Sequence, residues 1–483
     1  MEYDVVIGLE VHVQVKTRTK LFSGCPYTYG AEPNTLTDPV VLGLPGALPV
    51  INQEAIRQGI KTGLMFECRI ADICKWDRKH YFYPDCPKNY QISQYDQPLC
   101  RGGYVEIEKP GNARNIMGEH RKVALNRIHL EEDVGKLTHS ECDSLVDFNR
   151  AGVPLLEIVS EPDIFSSEEA FAYLHSLQMH LIYAGISDGD MEKGHIRCDA
   201  NISLRPKGSS TLGTRVELKN LNSISGVKNG IEYEVARQKR ILDSGGYIEQ
   251  ETRRWDAEQH ISTGMRTKEM ADDYRYFPDP DIMPVTVDEK LLSILREELP
   301  ELPFRKQERY QLDYDLPYTL TSVLCPNAEL SAFYERAIQH HQAPRIIANF
   351  IANDLLRELG ESNGQITLQT MPLKPEHLAK LAQFIEEGRI SKQVAQNLFM
   401  EVFRHGKSLD ELICAQQWEQ SFTKDELNAL CRRIMTANPK PVEEYRRGKT
   451  GAINALKGPV MKETKGQANP QLIDQVLKEL LSE

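Results

Sequence analysis

Glu10 and His12 stand two residues apart in the run Tyr3-Asp-Val-Val-Ile-Gly-Leu-Glu-Val-His-Val-Gln-Val15. In an extended chain, side chains at i and i+2 share a face, so this carboxylate and imidazole address one object. The opposite face is an apolar wall of Val5, Ile7, Leu9, Val11, Val13 and Val15. The pattern recurs downstream. Arg127-Ile-His-Leu-Glu-Glu-Asp133, if extended, sets His129, Glu131 and Asp133 on one face and Glu132 on the other. Glu157 lies between Leu156 and Ile158, where a carboxylate is costly to bury unless it is paired or binds metal. Arg197-Cys-Asp-Ala-Asn-Ile-Ser203, with Asp199 and Asn201, and Val216-Glu-Leu-Lys-Asn220, with Glu217 and Lys219, repeat the alternation.

Taken singly, each stretch reads as a solvated strand face. Taken together they offer a pocket of several carboxylates with a histidine and a lysine. Such a pocket suits a divalent cation and phosphate, because Mg²⁺ is held by one or two carboxylates plus water and substrate phosphates. A histidine in the ligand set leaves Mn²⁺ open as well. Phosphoryl transfer needs positioning and charge neutralisation more than a protein nucleophile, and Lys219 supplies a positive charge. The polar and aromatic stretch Asp77–Pro98 reads as an ordered loop lining something wet.

The elements that must position these residues form an α+β protein. Strands are expected at Tyr104–Glu108, Leu125–Leu130, Leu155–Val159, Ala200–Leu204 and Thr214–Leu218, with helices at Gln53–Phe66, behind the capping box Ser166-x-x-Glu169, and at Ser225–Asp243. Phe277-Pro-Asp-Pro-Asp-Ile-Met-Pro284 is expected to hold no regular element and to open a domain boundary. Beyond it the apolar period becomes helical, over Glu329–His341, Arg345–Gly360, Pro375–Glu387, Lys392–Phe403 and Lys424–Met435. Two later starts carry capping boxes, at Ser408 and Thr423. A division near Gly406 is expected within this helical part.

Composition narrows the class. A chain of 483 residues is long enough for several domains. No apolar run is long enough to span a membrane, and the N-terminus opens on strand pattern rather than a signal peptide. Ten cysteines without a C-x-x-C pair fit a reducing, cytoplasmic setting. The net charge of −12 excludes a generally basic protein, but residues 439–467 carry seven basic residues against three acidic ones, a local patch for nucleic acid. Gly448-Lys-Thr450 is not a P-loop, since Glu443 stands where its first glycine belongs. Lys207-Gly-Ser-Ser210 lacks the glycine-rich surroundings of an amidase serine.

Over its whole length the chain resembles the B-subunit family of the tRNA-dependent amidotransferase GatCAB. The matching runs are Val6-Ile-Gly-Leu-Glu-Val-His-Val13, Asp77–Pro98, His129-Leu-Glu-Glu-Asp-Val-Gly-Lys136, Glu157-Ile-Val-Ser-Glu-Pro-Asp163, Arg197–Ser203, Glu217-Leu-Lys-Asn-Leu-Asn-Ser223, Asp273-Tyr-Arg-Tyr-Phe-Pro278 and Lys465-Gly-Gln-Ala-Asn-Pro470.

The resemblance implies a ligase component that forms a carbon–nitrogen bond with glutamine as amide donor. It would use ATP and Mg²⁺ to phosphorylate the side-chain carboxylate of Glu-tRNA(Gln), Asp-tRNA(Asn) or both. Ammonia from an amidase (A) subunit would then attack, in a heterotrimer completed by a small C subunit, in the cytoplasm and away from membranes. It further implies a cradle domain over 1–293, a helical domain over 294–405 and a tRNA-binding tail over 406–483. Carried over residue by residue, Glu10, His12, Glu132 and Glu157 are expected as metal ligands. Glu131, Asp199, Asn201, Glu217 and Lys219 are expected as metal, nucleotide or acceptor contacts. Lys79, Lys88, Asn89, Tyr90 and Ser93 match the stretch near the ammonia route. Arg446, Arg447, Lys449, Lys457, Lys462 and Lys465 match the tail that meets tRNA phosphates. The chain departs from zinc-bearing members. Where they carry C-x-C and C-P-x-C, it has Ser23-Gly-Cys25 and Asp38-Pro-Val-Val41. Only Cys25 survives, so no structural zinc is expected, and a compensating role for Asp38 is the alternative.

Overall fold

The computed structural model describes residues 2–482 apart from 112, 114, 141, 268–273, 417–423, 465–467 and 469. Asp273, Thr423 and Lys465, singled out above, lie outside the described residues. The chain divides into two compact units, Met1–Leu302 and Pro303–Glu483.

The first unit opens with β1 (Tyr3–Gln14), α1 (Gln53–Met65), β2 (Arg69–Ile70), β3 (Ile73–Cys74), β4 (Asp77–His80), β5 (Tyr90–Ser93), β6 (Cys100–Arg101) and β7 (Tyr104–Glu108). It continues with β8 (His120–Glu132), β9 (Lys136–His139), β10 (Ser144–Asp147), β11 (Pro154–Ser160), α2 (Ser167–Tyr183), β12 (Ile196–Pro206) and β13 (Val216–Leu221). It ends with α3 (Ile224–Asp243), β14 (Glu251–Asp256), β15 (Ile261–Thr267), β16 (Phe277–Pro278), β17 (Val285–Thr286) and α4 (Glu289–Glu298). The main sheet runs β15-β14-β13-β12-β1-β11-β8-β6-β2, with β7 also paired to β8. It is antiparallel except for the β13–β14 pair. β4, β5 and β16 make a separate three-stranded sheet.

β1 sits near the centre because its odd-numbered residues form an unbroken apolar stripe. Ile7, Leu9, Val11 and Val13 are buried, and Ile158, Leu156, Ala200 and Ile202 of the neighbouring strands join them in the core. Helices α1, α2 and α3 pack on the sheet strands. Each helix starts where a side chain satisfies its free N–H groups. Asn52 accepts from the N–H of Glu54 and Ala55, Ser166 from Glu169 and Ser223 from Gly226. α1 approaches the sheet closely because Gly59 and Gly63 share one face. A Cβ there would come within 2.7 Å of Leu99 Cδ2 or 2.4 Å of Cys100 Sγ.

The boundaries depart from the expected elements at three places. Asp77–Pro98, expected as a loop, carries β4 and β5, whose backbones pair from Asp77–Ser93 to His80–Tyr90. β8 and β12 extend well past their apolar cores, because both flank the central strands and find partners along their length. Phe277-Pro278 does pair, with Arg78 and Asp77 of β4; a two-residue edge tolerates the missing proline donor. The break between units comes after Leu302, inside the stretch 277–303 that proline punctuation marks in the sequence. Residue 293, the edge carried over from the resemblance, lies in α4, which is fastened to α1 by Arg57–Glu298 at 2.7 Å and buries Leu295 in the sheet core.

The second unit is helical. One apolar cluster runs from Tyr310 to Ile413 and a second from Leu427 to Leu481. The helix Leu409–Gln416, expected in the tail, contributes Leu409, Leu412 and Ile413 to the first cluster. The expected single helix over 345–360 widens into a π-turn at Phe350–Leu355. Asp354, buried there, accepts from Gln396 Nε2 at 3.3 Å in the helix Lys392–His405.

Candidate active site

The even-numbered face of β1 is polar, and the register of its neighbours decides what meets it. Residues directly opposed in paired strands project on the same side. One rung reads His129–Glu157–His12–Arg197 across β8, β11, β1 and β12. The next reads Arg127–Val159–Glu10–Asp199. Another carries Gly8–Asn201–Glu217–Thr252 into β13 and β14.

His12 is the hub. Its Nδ1 lies 3.1 Å from Glu131 Oε1 and its Nε2 lies 3.3 Å from Glu10 Oε1. Burial opposes a charge on the ring, but hydrogen bonds to Glu10 and Glu131 and the field of Glu157 overcome it and hold its pKa well above the ordinary imidazole value. Glu157 accepts on both oxygens, from His129 Nε2 at 3.2 Å and Arg127 Nη2 at 3.3 Å. Against its burial, His129, His12 and Lys79 hold its carboxyl far below the usual range. Glu131 is likewise lowered: burial opposes ionisation, and the bond to His12 and the charge of Lys79 prevail. Ser93 Oγ donates to Glu131 Oε2 at 3.3 Å.

A second group adjoins the first. Lys219 Nζ contacts Asp199 and lies 3.0 Å from Glu217 Oε1. Thr252 Oγ1 donates to the other Glu217 oxygen at 2.8 Å. Burial raises the Asp199 pKa against the pull of Lys219.

Among the described residues, two sets of donor atoms could hold a cation, Glu10–His12–Asp199 and His12–Glu131–Glu157, each with its atoms within 4.8 Å of one another. One imidazole nitrogen among carboxylate oxygens fits a hard divalent ion, with Mn²⁺ better suited than Mg²⁺ to the nitrogen.

Glu132, expected as a ligand, lies outside both sets. Strand alternation turns Glu131 to His12 and sends Glu132 elsewhere. Glu132 accepts from Lys88 Nζ and from the Ile92 N–H at 2.9 Å. The structure therefore puts Glu131 where Glu132 was expected.

A model of the GatB/GatE catalytic domain matches residues 5–293, and a model of the GatB domain matches residues 332–481. The chain belongs to the GatB/GatE family. A protein of Opitutus terrae, named as the B subunit of aspartyl/glutamyl-tRNA(Asn/Gln) amidotransferase, is 56% identical over 486 residues, covering 100% of both chains. Proteins of the same name from Methylacidiphilum infernorum and a Thermoanaerobacter species are 47% and 46% identical, again covering 100% of both chains.

Within this GatB/GatE chain, the stretch matched to the ammonia route splits in two. Lys79, on β4, approaches the His12 site: its Nζ lies 4.9 Å from the Tyr274 ring centroid, and burial fails to discharge it beside Glu131 and Glu157. Ser93 touches Glu131 directly. Lys88 and Tyr90 instead line a small pocket with Glu132 and Asp133. Asn89 adopts a left-handed backbone, φ 63°, as its N–H closes a turn on the Cys86 carbonyl at 3.0 Å. Asp38 caps the Val41 N–H at 2.8 Å, and Cys25 packs on Val41 and Ala151.

In the tail, Arg446 and Lys462 are exposed. Arg447 and Lys449 pair loosely with Glu443 and Glu444, at 3.3 and 3.7 Å, and Lys457 is tied to Asp474 at 2.6 Å. Two site residues given no role from sequence are His129 and Arg127, both on Glu157. Their signal was present, since each alternates in phase with Glu131.

Proposed function

We propose that this GatB/GatE chain is the B subunit of a tRNA-dependent amidotransferase and activates the side-chain carboxylate of glutamate or aspartate carried on tRNA. The observation that carries the reading is the His12 hub, one imidazole flanked by Glu10, Glu131 and Glu157 on a single sheet face, beside the Lys219–Asp199–Glu217 group. The names of the relatives and the catalytic-domain match support it.

In the first step a carboxylate oxygen of the aminoacyl group attacks the γ-phosphorus of ATP, and the bond to ADP breaks. In the second, ammonia attacks the acyl carbon of the mixed anhydride. The carbon–oxygen bond to phosphate breaks, and phosphate leaves with the proton that nitrogen sheds. Glu10, His12, Glu131 and Glu157, with Asp199 beside them, would hold a divalent cation, whose chemistry would be charge neutralisation at the phosphoryl group. Lys219 faces the same group as a fixed positive charge, oriented by Asp199 and Glu217. Lys79 and Ser93 hold Glu131 ionised and oriented from the β4–β5 side. Ammonia comes from an amidase subunit, a small third subunit completes the complex, and the basic tail binds the tRNA. The described cysteines are free, in keeping with a reducing compartment such as the cytoplasm.

Reconstitution with an amidase subunit and a small subunit tests this. ATP cleavage that requires mischarged tRNA, and that Glu10→Gln abolishes, is expected. Equal ATP cleavage with uncharged tRNA, or full activity in Glu10→Gln, would overturn it.

A further inference from the structure

Beyond the His12 hub, on the same sheet face, stands a row of three arginines. β2 pairs with β6 so that Arg69 opposes Arg101, and β6 pairs with β8 so that Arg101 opposes Arg127. The rung continues through Val159 to Glu10 and Asp199. The row therefore runs in line to the acid pocket. At ordinary strand spacing Arg127 lies about 10 Å from Glu10 and Arg69 about 19 Å.

Like charges directly opposed across strands are destabilising, and the protein's own compensation thins along the row. Arg127 reaches Glu157 at 3.3 Å. Arg101 gives one donor to the Asp96 backbone carbonyl at 2.7 Å and sits in the field of the Asp96 carboxylate, which Lys75 also engages. Arg69 is exposed, and among the described residues its side chain has no hydrogen bond or ion pair. Arg69 and Arg101 also line a cavity of about 480 Å³, together with Ile73, Gln97 and Pro98. Two carboxylates share that lining, and one of them, Asp96, is held by Lys75 at 2.7 Å, leaving Asp72. The volume is in the small-molecule range. Two guanidinium forks match phosphate oxygens, and the apolar part of the lining, Ile73 and Pro98, can cover a base.

We propose that Arg69, Arg101 and this cavity bind a nucleotide of the single-stranded end of the RNA substrate, its phosphate on the two guanidinium groups and its base against Ile73 and Pro98. The inference rests on the activation reading above. If the aminoacyl carboxylate sits at Glu10 and His12, the nucleotides behind it must leave the pocket, and the row offers their phosphates a line of cations. ATP carries the same nucleotide chemistry, and the test separates the two.

The experiment uses the complete complex, with Arg69→Gln/Arg101→Gln and the charge-keeping Arg69→Lys/Arg101→Lys. Affinity is measured for glutamyl-tRNA and for the same tRNA trimmed of its last three nucleotides. The Gln pair is expected to bind the full tRNA about tenfold more weakly, with a salt slope reduced by about one to two. The Lys pair keeps most of the affinity, and the trimmed tRNA does not distinguish the Gln pair from the unaltered complex. Equal binding of full tRNA by the unaltered complex and the Gln pair overturns the proposal. So does a raised KM for ATP with tRNA affinity intact, which assigns the arginines to the free nucleotide. Amidation by the unaltered complex, followed in parallel, tests the activation reading separately, and the binding results decide this one whatever its outcome.

Discussion

Adjacent glutamates of β8 make the sharpest test of the site, because the structure gives them opposite duties. Glu131 lies against His12 in a set of cation donors; Glu132 lies against Lys88. Glu131→Gln removes a buried carboxylate from the proposed ligand set. A dication and a unit charge about 4 Å apart interact by about 8 kcal/mol at an effective dielectric near 20, which bounds the loss from above before desolvation is returned. Loss of an outer-sphere partner costs about 10–100-fold in metal affinity, which sets a floor. We therefore expect Glu131→Gln to weaken Mn²⁺ binding at least about 100-fold, close to 2.7 kcal/mol. Glu132→Gln leaves a carbonyl oxygen for the Ile92 N–H but strips the charge opposite Lys88. It should lower stability by about 1–3 kcal/mol and leave Mn²⁺ affinity within about threefold. Calorimetric titration with Mn²⁺ and thermal melts of both variants read the two effects. Weakened metal binding in Glu132→Gln with none in Glu131→Gln would refute the reasoning.

Lys219→Met leaves Asp199 and Glu217 without their shared cation; single-turnover amidation should fall at least about 100-fold, and a loss under threefold would remove Lys219 from the mechanism. His180 is buried, with Nδ1–H donating to the Ser176 carbonyl at 2.7 Å, and burial holds its pKa below the ordinary imidazole value against the pull of that bond and of Glu106. The unfolded chain gains this proton near pH 6.5 and the folded chain does not. Stability is thus full above that pH and falls below it by up to about 1.4 kcal/mol per pH unit until the folded pKa is reached. Melting from pH 7.5 to 5.5 should fall more steeply for the unaltered protein than for His180→Gln, and equal slopes would contradict this. Ending the chain at residue 423 removes the Leu427–Leu481 cluster but keeps the first helical cluster whole. Affinity for tRNA should drop and its salt dependence shrink, and unchanged binding would clear the tail of that role.

The acid-bearing strands were legible because period-two alternation is local. Glu10 and His12 declared their common face within three residues. What they meet was not legible, since the pairing of His12 with Glu157 joins strands 145 residues apart in register, and register is set by long-range packing. Glu131 and Glu132 show the limit. Alternation placed Glu131 in phase with His129, yet the family resemblance pointed to Glu132, and only the register of β8 against β11 and β1 separates them. The arginine row escaped for a different reason: β2 and β6 are two residues long, too short to show a period. The π-turn at Phe350–Leu355 and the Phe277–Pro278 pairing escaped because both depend on neighbours distant in sequence.

Transfer of oxygen tests carboxylate activation most directly. With glutamyl-tRNA labelled with ¹⁸O in its side-chain carboxylate, the complete complex, ATP and ammonia should release phosphate carrying one labelled oxygen for each amide formed. Amide formation with unlabelled phosphate would contradict phosphorylation of the carboxylate, and with it the role assigned to the His12 hub.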